Sequence, residues 1–166
     1  MTDPEFQIQK GKRPQSLMSP IIYYGVIAGV IISIYFLVMH ALIEYQSITT
    51  GLYIRYSKFI WLAIVLYFAI RNYRYHYRES FQFAKGMMLG FGVSVVASIV
   101  LIAGELIVYT INPEWVFEPM YYPSETLGDR IIGMLLATSE TTAIGGIIIS
   151  LAWMVLLQRS VGSEVN

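Results

Sequence analysis

Four stretches of this 166-residue chain are so long and so apolar that hydrocarbon is the only solvent that suits them. A helix rises about 1.5 Å per residue, so crossing roughly 30 Å of bilayer core takes about 20 residues. The stretches from Ile21 to Ile43, Leu52 to Ile70, Met87 to Ile111 and Ile131 to Leu157 have that length. Backbone N–H and C=O groups in lipid must be satisfied within the segment, and such stretches therefore form helices. Composition agrees, with 56% of residues hydrophobic and 13% charged, against a charged share of about a quarter in soluble domains. The expected fold is an all-α membrane protein with four transmembrane helices in an up-down bundle joined by short loops.

This reading divides the chain into a flexible cytoplasmic tail at 1–19, a four-helix transmembrane domain at 20–159 and a short cytoplasmic tail at 160–166. No room remains for a separate soluble catalytic module. The first tail is polar and broken by Pro4, Gly11 and Pro14. Its Lys10, Lys12 and Arg13 precede an apolar stretch as in a secretory signal, but that stretch exceeds the about 7 to 15 residues of a signal core, and Met39-His40-Ala41 is a poor cleavage site. The first span is expected to be retained.

Lysine and arginine gather on the cytoplasmic side of membrane proteins. Four spans put both termini and the second loop on one side, with Lys10, Lys12, Arg13, Arg71, Arg74, Arg78, Lys85 and Arg159; the other side holds Arg55, Lys58 and Arg130. Both termini are thus expected to be cytoplasmic. Zero net charge offers no basic surface for nucleic acid, and no base-reading motif is present. The aromatic and cationic residues of the second loop, Arg71 to Arg78, fit an ordinary inner interface. Cysteine is absent, which removes disulfides, thiolate metal sites and a cysteine nucleophile.

Small residues let helices approach closely in lipid, and three spans carry them at four-residue spacing. The first has Gly25, Gly29 and Ser33; the third has Gly86, Gly90, Ser94 and Ser98; the fourth has Gly133, Ala137 and Thr141. Gly25, Gly29, Gly86, Gly90 and Gly133 are the expected packing positions, either within one chain or between copies. Four short-looped spans, an Arg-rich inner turn and Phe81-Gln82-Phe83-Ala84-Lys85-Gly86 leading into the glycine-bearing third span resemble the bacterial membrane proteins of domain-of-unknown-function family forty-one ninety-nine, over roughly residues 20 to 160. The resemblance implies a bacterial inner membrane location and carries no catalytic or binding residue.

Ionisable groups inside the spans are the candidate functional residues. Counting 1.5 Å per residue from the cytoplasmic ends puts Glu105 and Glu140 at about 25 to 27 Å, Arg55 and Lys58 at about 18 to 22 Å and His40 at about 28 Å, with Glu44 at the rim. A charge at a helix centre costs about 2.5 to 3.5 kcal/mol on insertion scales, so these groups are expected to pair, neutralise or meet water. His40, Glu44, Arg55, Lys58, Glu105 and Glu140 then form either an ion-paired layer that fixes helix register or the lining of an outward cavity for a cation, proton or small polar molecule. Thr138 to Thr142 is a polar run, and Gly145-Gly146 beyond it can loosen the helix where a site needs carbonyls.

Neither an H-E-x-x-H, a G-x-S-x-G nor a phosphate-binding glycine loop occurs, and His40 and His76 fall on opposite sides of the membrane. The expectation is a non-enzyme with no cofactor and no metal. Its expected role is as a scaffold or accessory subunit that associates through glycine-rich helix faces, with the lipid bilayer and a homo-oligomer or membrane protein as partners. The alternative is an oligomeric ion- or proton-coupled transporter or channel-like protein using Glu140 and Glu105.

Overall fold

The computed structural model describes residues 16–42, 48–76, 83–111 and 127–162. They form α1 (Met18–Leu42), α2 (Ile48–His76), α3 (Phe83–Ile111), α4 (Leu127–Ala143) and α5 (Ser150–Gly162), with a π-helical stretch, Ile144–Ile149, joining α4 to α5 without a break. No strand occurs among the described residues. Ser16 starts α1 by accepting a hydrogen bond from the Met18 N–H at 3.2 Å, a capping role suited to serine. The chain is therefore helical from Met18, inside the expected 1–19 tail, and α5 continues to Gly162, inside the expected 160–166 tail.

Residue pairings fix the direction of each helix. Gly25 lies against Val96 and Gly29 against Val100, so numbers rise together and α1 runs parallel to α3. The Asn72 amide donates to the Tyr24 hydroxyl at 2.9 Å, and the Tyr35 and Ser57 hydroxyls are hydrogen-bonded. Those numbers run in opposite senses, which makes α2 antiparallel to α1. Leu62 meets Gly145, the Tyr67 ring meets Trp153, and Arg74 donates to the Leu157 carbonyl. The α4–π–α5 unit thus runs parallel to α2, completing an up-down-up-down order. α1 packs on one side of the α2–α3 pair and α4–π–α5 on the other.

The core follows from helical spacing. Ala28, Ile32 and Phe36 of α1, Leu62, Leu66, Ala69 and Ile70 of α2, Leu89, Val93 and Ala97 of α3, and Met154 of α5 are all buried together. The outside is equally apolar: Ile22, Val26, Val30 and Ile34 form an exposed stripe on α1, and Ile60, Ile64 and Phe68 form one on α2. An exterior of this extent exceeds the apolar patches that soluble monomers expose.

Among the described residues, three segments are long and apolar enough to cross a membrane: Met18–Met39, Phe83–Gly104 and Ser139–Leu157. The last passes through the π stretch. α2, which contains the expected Leu52 to Ile70 span, is not among them. Lys58 within it and Arg71, Asn72 and Arg74 at its end dilute its apolar character.

Candidate functional site

The α2 sequence puts a cation where an aliphatic residue belongs. Its buried stripe runs Ile54, Lys58, Leu62, Leu66 and Ile70 at steps of four, and Lys58 is 0% exposed. The Lys58 ammonium lies over the adjacent Phe59 ring, 5.4 Å from its centroid. A lysine wholly removed from solvent has lost its hydration and depends on neighbouring polar groups.

Buried polar groups of α3 and α4 lie at a similar level. On α3, Ser94 donates to the Gly90 carbonyl at 3.0 Å and Ser98 to the Ser94 carbonyl at 2.9 Å. Each serine thus spends its proton on its own helix, four residues back. The Ser98 oxygen is 3.5 Å from the Thr142 hydroxyl, which leaves Thr142 as the donor across the interface. Thr141, beside it, is 1% exposed, as is Ser98.

Leu62, Gly145 and Ser94 meet at one point, since a Cβ on Gly145 would collide with the Leu62 Cδ2 atom and come within 3.0 Å of Ser94 Oγ. One turn from that point, on the side away from the α2 C-terminus, come Lys58 on α2, Thr141 on α4 and Ser98 on α3. Three helices thereby converge on a buried layer of one ammonium and two hydroxyls, with the half-buried Thr142 beside it.

On the other side of the junction, the backbone itself is irregular. Gly145 and Gly146 lie in the π stretch and are buried. The Ser150 N–H bonds to the Gly145 and Ile147 carbonyls, and the Ser150 hydroxyl donates to the Gly145 carbonyl at 3.1 Å. The buried positions Thr141, Gly145, Ser150 and Met154 advance by four, five and four residues. The π turn absorbs the extra residue in the middle step and keeps one face directed inward. Close approach requires glycine at Gly90, where any Cβ would strike the Ser150 side chain.

The sequence-derived candidates distribute unevenly over this site. Lys58 is inside the layer, and Glu140, half-buried, adjoins Thr141. Arg55 and Glu105 occupy positions in α2 and α3, and His40 one in α1; their side chains, and Glu44 altogether, lie outside the described residues. The Ser98–Thr142 contact sets the α3–α4 register and separates the two glutamates in depth. Measured from it along each helix axis, Glu140 is about 3 Å and Glu105 about 10 Å closer to the end of the bundle where α3 ends and α4 begins. Among the described residues no three His, Cys, Asp or Glu groups gather to hold a metal. Ser98, Thr141 and Thr142 had a signal in the sequence, through four-residue spacing and the polar run. Ser150 had none, because its role depends on the π turn.

Gly25 and Gly29 are buried against Val96, Val100 and the carbonyls of Val93 and Ala97. Gly86 and Gly90 are buried as well, while Gly133 is half-buried. The first four glycines are thus occupied by packing within the chain.

Residues 23–126 match the family described as protein of unknown function DUF4199. The chain belongs to this family. The matched part includes most of α1 and all of α2 and α3, hence Lys58 and Ser98, and ends before α4 with Glu140, Thr141 and the π turn. Neither a curated protein nor a solved structure matches the chain.

Proposed function

We propose that this DUF4199 protein is a small multi-pass protein of the bacterial inner membrane, not an enzyme, that serves as a scaffold or accessory subunit. The observation that carries this reading is the filled interior. Gly25, Gly29, Gly90, Gly92, Gly145 and Gly146 each have a neighbouring side chain within 3.0 Å of where a Cβ would stand. Such a bundle is a rigid unit whose working surface is its outside. In this reading the polar layer fixes helix register, as buried polar groups do in other bundles. Because most of its glycine faces are already used internally, a homo-oligomeric or other membrane protein partner engages the outward apolar faces.

α2 is the fourth span in this proposal. Its Leu62, Leu66, Ala69 and Ile70 are fully buried among the other helices, and with three neighbours crossing the bilayer it has no other place to pack. Four spans and the excess of cations on one side put both termini in the cytoplasm. A reporter fused after Asn166 that is active only outside the cytoplasm would overturn this topology.

A second reading is favoured by the π turn beside a fully buried lysine, since such turns recur at functional sites. Here the Lys58 layer, with Glu140 at its edge, handles a proton or small ion in an oligomeric transporter. Purified protein in liposomes separates the two. The scaffold reading expects no ion or proton flux and an altered partner pull-down with Glu140→Gln. A flux that Glu140→Gln abolishes would establish the second reading. A cysteine at Thr141, in a chain without native cysteines, stays protected from aqueous thiol reagents only if the layer is dry.

A further inference from the structure

The outward face of α2 mirrors its buried one. Tyr53, Tyr56, Ile60, Ile64, Phe68, Arg71 and Tyr75 are all exposed and recur at three- and four-residue steps, forming one continuous stripe. Its middle is apolar and its C-terminal end is cationic. From Ile60 to Arg71 the helix rises about 16 Å, close to half of the roughly 30 Å hydrocarbon core and so to the depth of a single leaflet.

The cationic end is held in place. The Trp153 indole donates to the Ala63 carbonyl at 2.9 Å, and the Tyr67 ring packs on Trp153 with centroids 4.9 Å apart. Arg71 lies over that Tyr67 ring at 5.8 Å and donates one N–H to its hydroxyl at 3.2 Å. A guanidinium has five N–H donors in a planar fork. Tyr67 uses one, and among the described residues no carboxylate pairs with Arg71. The remaining donors suit a phosphate, which a planar fork grips with two bonds where an ammonium offers a point charge.

We propose that this stripe is a binding site for an anionic phospholipid of the inner leaflet. The acyl chain lies along Ile60, Ile64 and Phe68, and the headgroup phosphate is taken by Arg71 against its Tyr67 platform. Arginine complements a lipid with net negative charge. In a zwitterionic lipid the headgroup cation offsets the phosphate and weakens the match. The site rests on α2 being a span but is independent of whether the bundle acts as scaffold or transporter.

Native mass spectrometry of the full chain, titrated in detergent with phosphatidylglycerol or phosphatidylcholine, tests the site. The expected result is tighter binding of phosphatidylglycerol, lowered about fivefold by Arg71→Gln, with phosphatidylcholine binding unchanged. Lys85→Gln removes an equal charge from the start of α3 and is expected to have a much smaller effect. Equal losses in the two variants would show a diffuse charge effect and overturn the site, as would no loss with Arg71→Gln. A bimane label on Ile64→Cys, in bilayers of brominated lipid, checks the span separately. Quenching with either headgroup places the α2 face in lipid, so that a failed Arg71 test then rejects the site alone. Absence of quenching would overturn the α2 span and the site together.

Discussion

The two flanks of the α2–α3 pair are built on opposite principles. Toward α1, the α3 surface meets its neighbour through Val93, Val96, Ala97 and Val100 seated on Gly25 and Gly29, an interface of close backbones and aliphatic side chains. Toward α4–π–α5, the same helix offers Gly90, Ser94 and Ser98 to Gly145, Ser150 and Thr142, with the buried Lys58 alongside. Lipid supplies no hydrophobic force between helices, so the first flank holds by van der Waals contact and the second adds hydrogen bonds. The first tolerates little change of volume. The second tolerates little change of polarity.

The largest expected effect falls on the polar flank. Lys58→Met keeps the length and removes the charge, leaving the groups that answer the ammonium without their partner. Losing the hydrogen bonds made to a buried charged group costs about 1.5 to 3 kcal/mol, which unfolding of the reconstituted protein would measure. An unchanged or raised stability would show that Lys58 burdens the fold and is retained for another task, sharpening the case for ion handling. Combining Lys58→Met with Glu140→Gln measures whether the two groups belong to one network. Non-additive costs are expected if they do.

On the apolar flank, Gly29→Ala tests closeness of approach. Its Cβ would stand 2.5 Å from Val100 Cβ and 3.0 Å from the Ala97 carbonyl oxygen. Neither atom is the flexible end of a side chain, so the helices must move apart, at a cost of about 1 to 3 kcal/mol. Gly92→Ala is the control, because its Cβ would meet chiefly the Ile21 side chain, nearest at the Cδ1 tip at 2.8 Å, which can turn away. Equal costs at the two positions would erase the contrast drawn between a backbone-limited contact and an ordinary one.

These contrasts show what the sequence does and does not disclose. Four-residue spacing of small residues exposed the packing faces of α1 and α3, since helix periodicity alone decides which side chains share a face. It left open which helix each face meets, because glycine accepts any close neighbour. Lys58 was visible as a charge in an apolar setting. Ser98 and Thr141 were visible as small or polar positions but not as its companions, because serine and threonine commonly back-bond within their own helix and only the register between helices brings them level with Lys58. The rise per residue put Glu105 and Glu140 at one height when counted from the helix ends, but the Ser98–Thr142 contact resets that origin. α2 stands out by its length, and its cations set it apart from the three apolar segments.

The smallest expected effect concerns the π turn and separates fold from function most cleanly. Ile148 is exposed, and removing it takes out the one residue by which the step from Gly145 to Ser150 exceeds a helical turn. The shortened segment can then close as an ordinary α-helix, with the residues now numbered Thr141, Gly145, Ser150 and Met154 all four apart and still facing inward. Deleting Leu136, exposed in regular α4, has no such slack and rotates everything before it by about 100° relative to the layer. The Ile148 deletion is therefore expected to leave the folded fraction nearly unchanged, while the Leu136 deletion lowers it sharply, as read by monodispersity and thermal unfolding in detergent. Similar losses for both would mean that the π turn is required by the packing. A well-folded Ile148 deletion that loses its partner or its flux would instead assign the π turn to function, since a π turn that the fold does not need must be explained by what the layer beside it does.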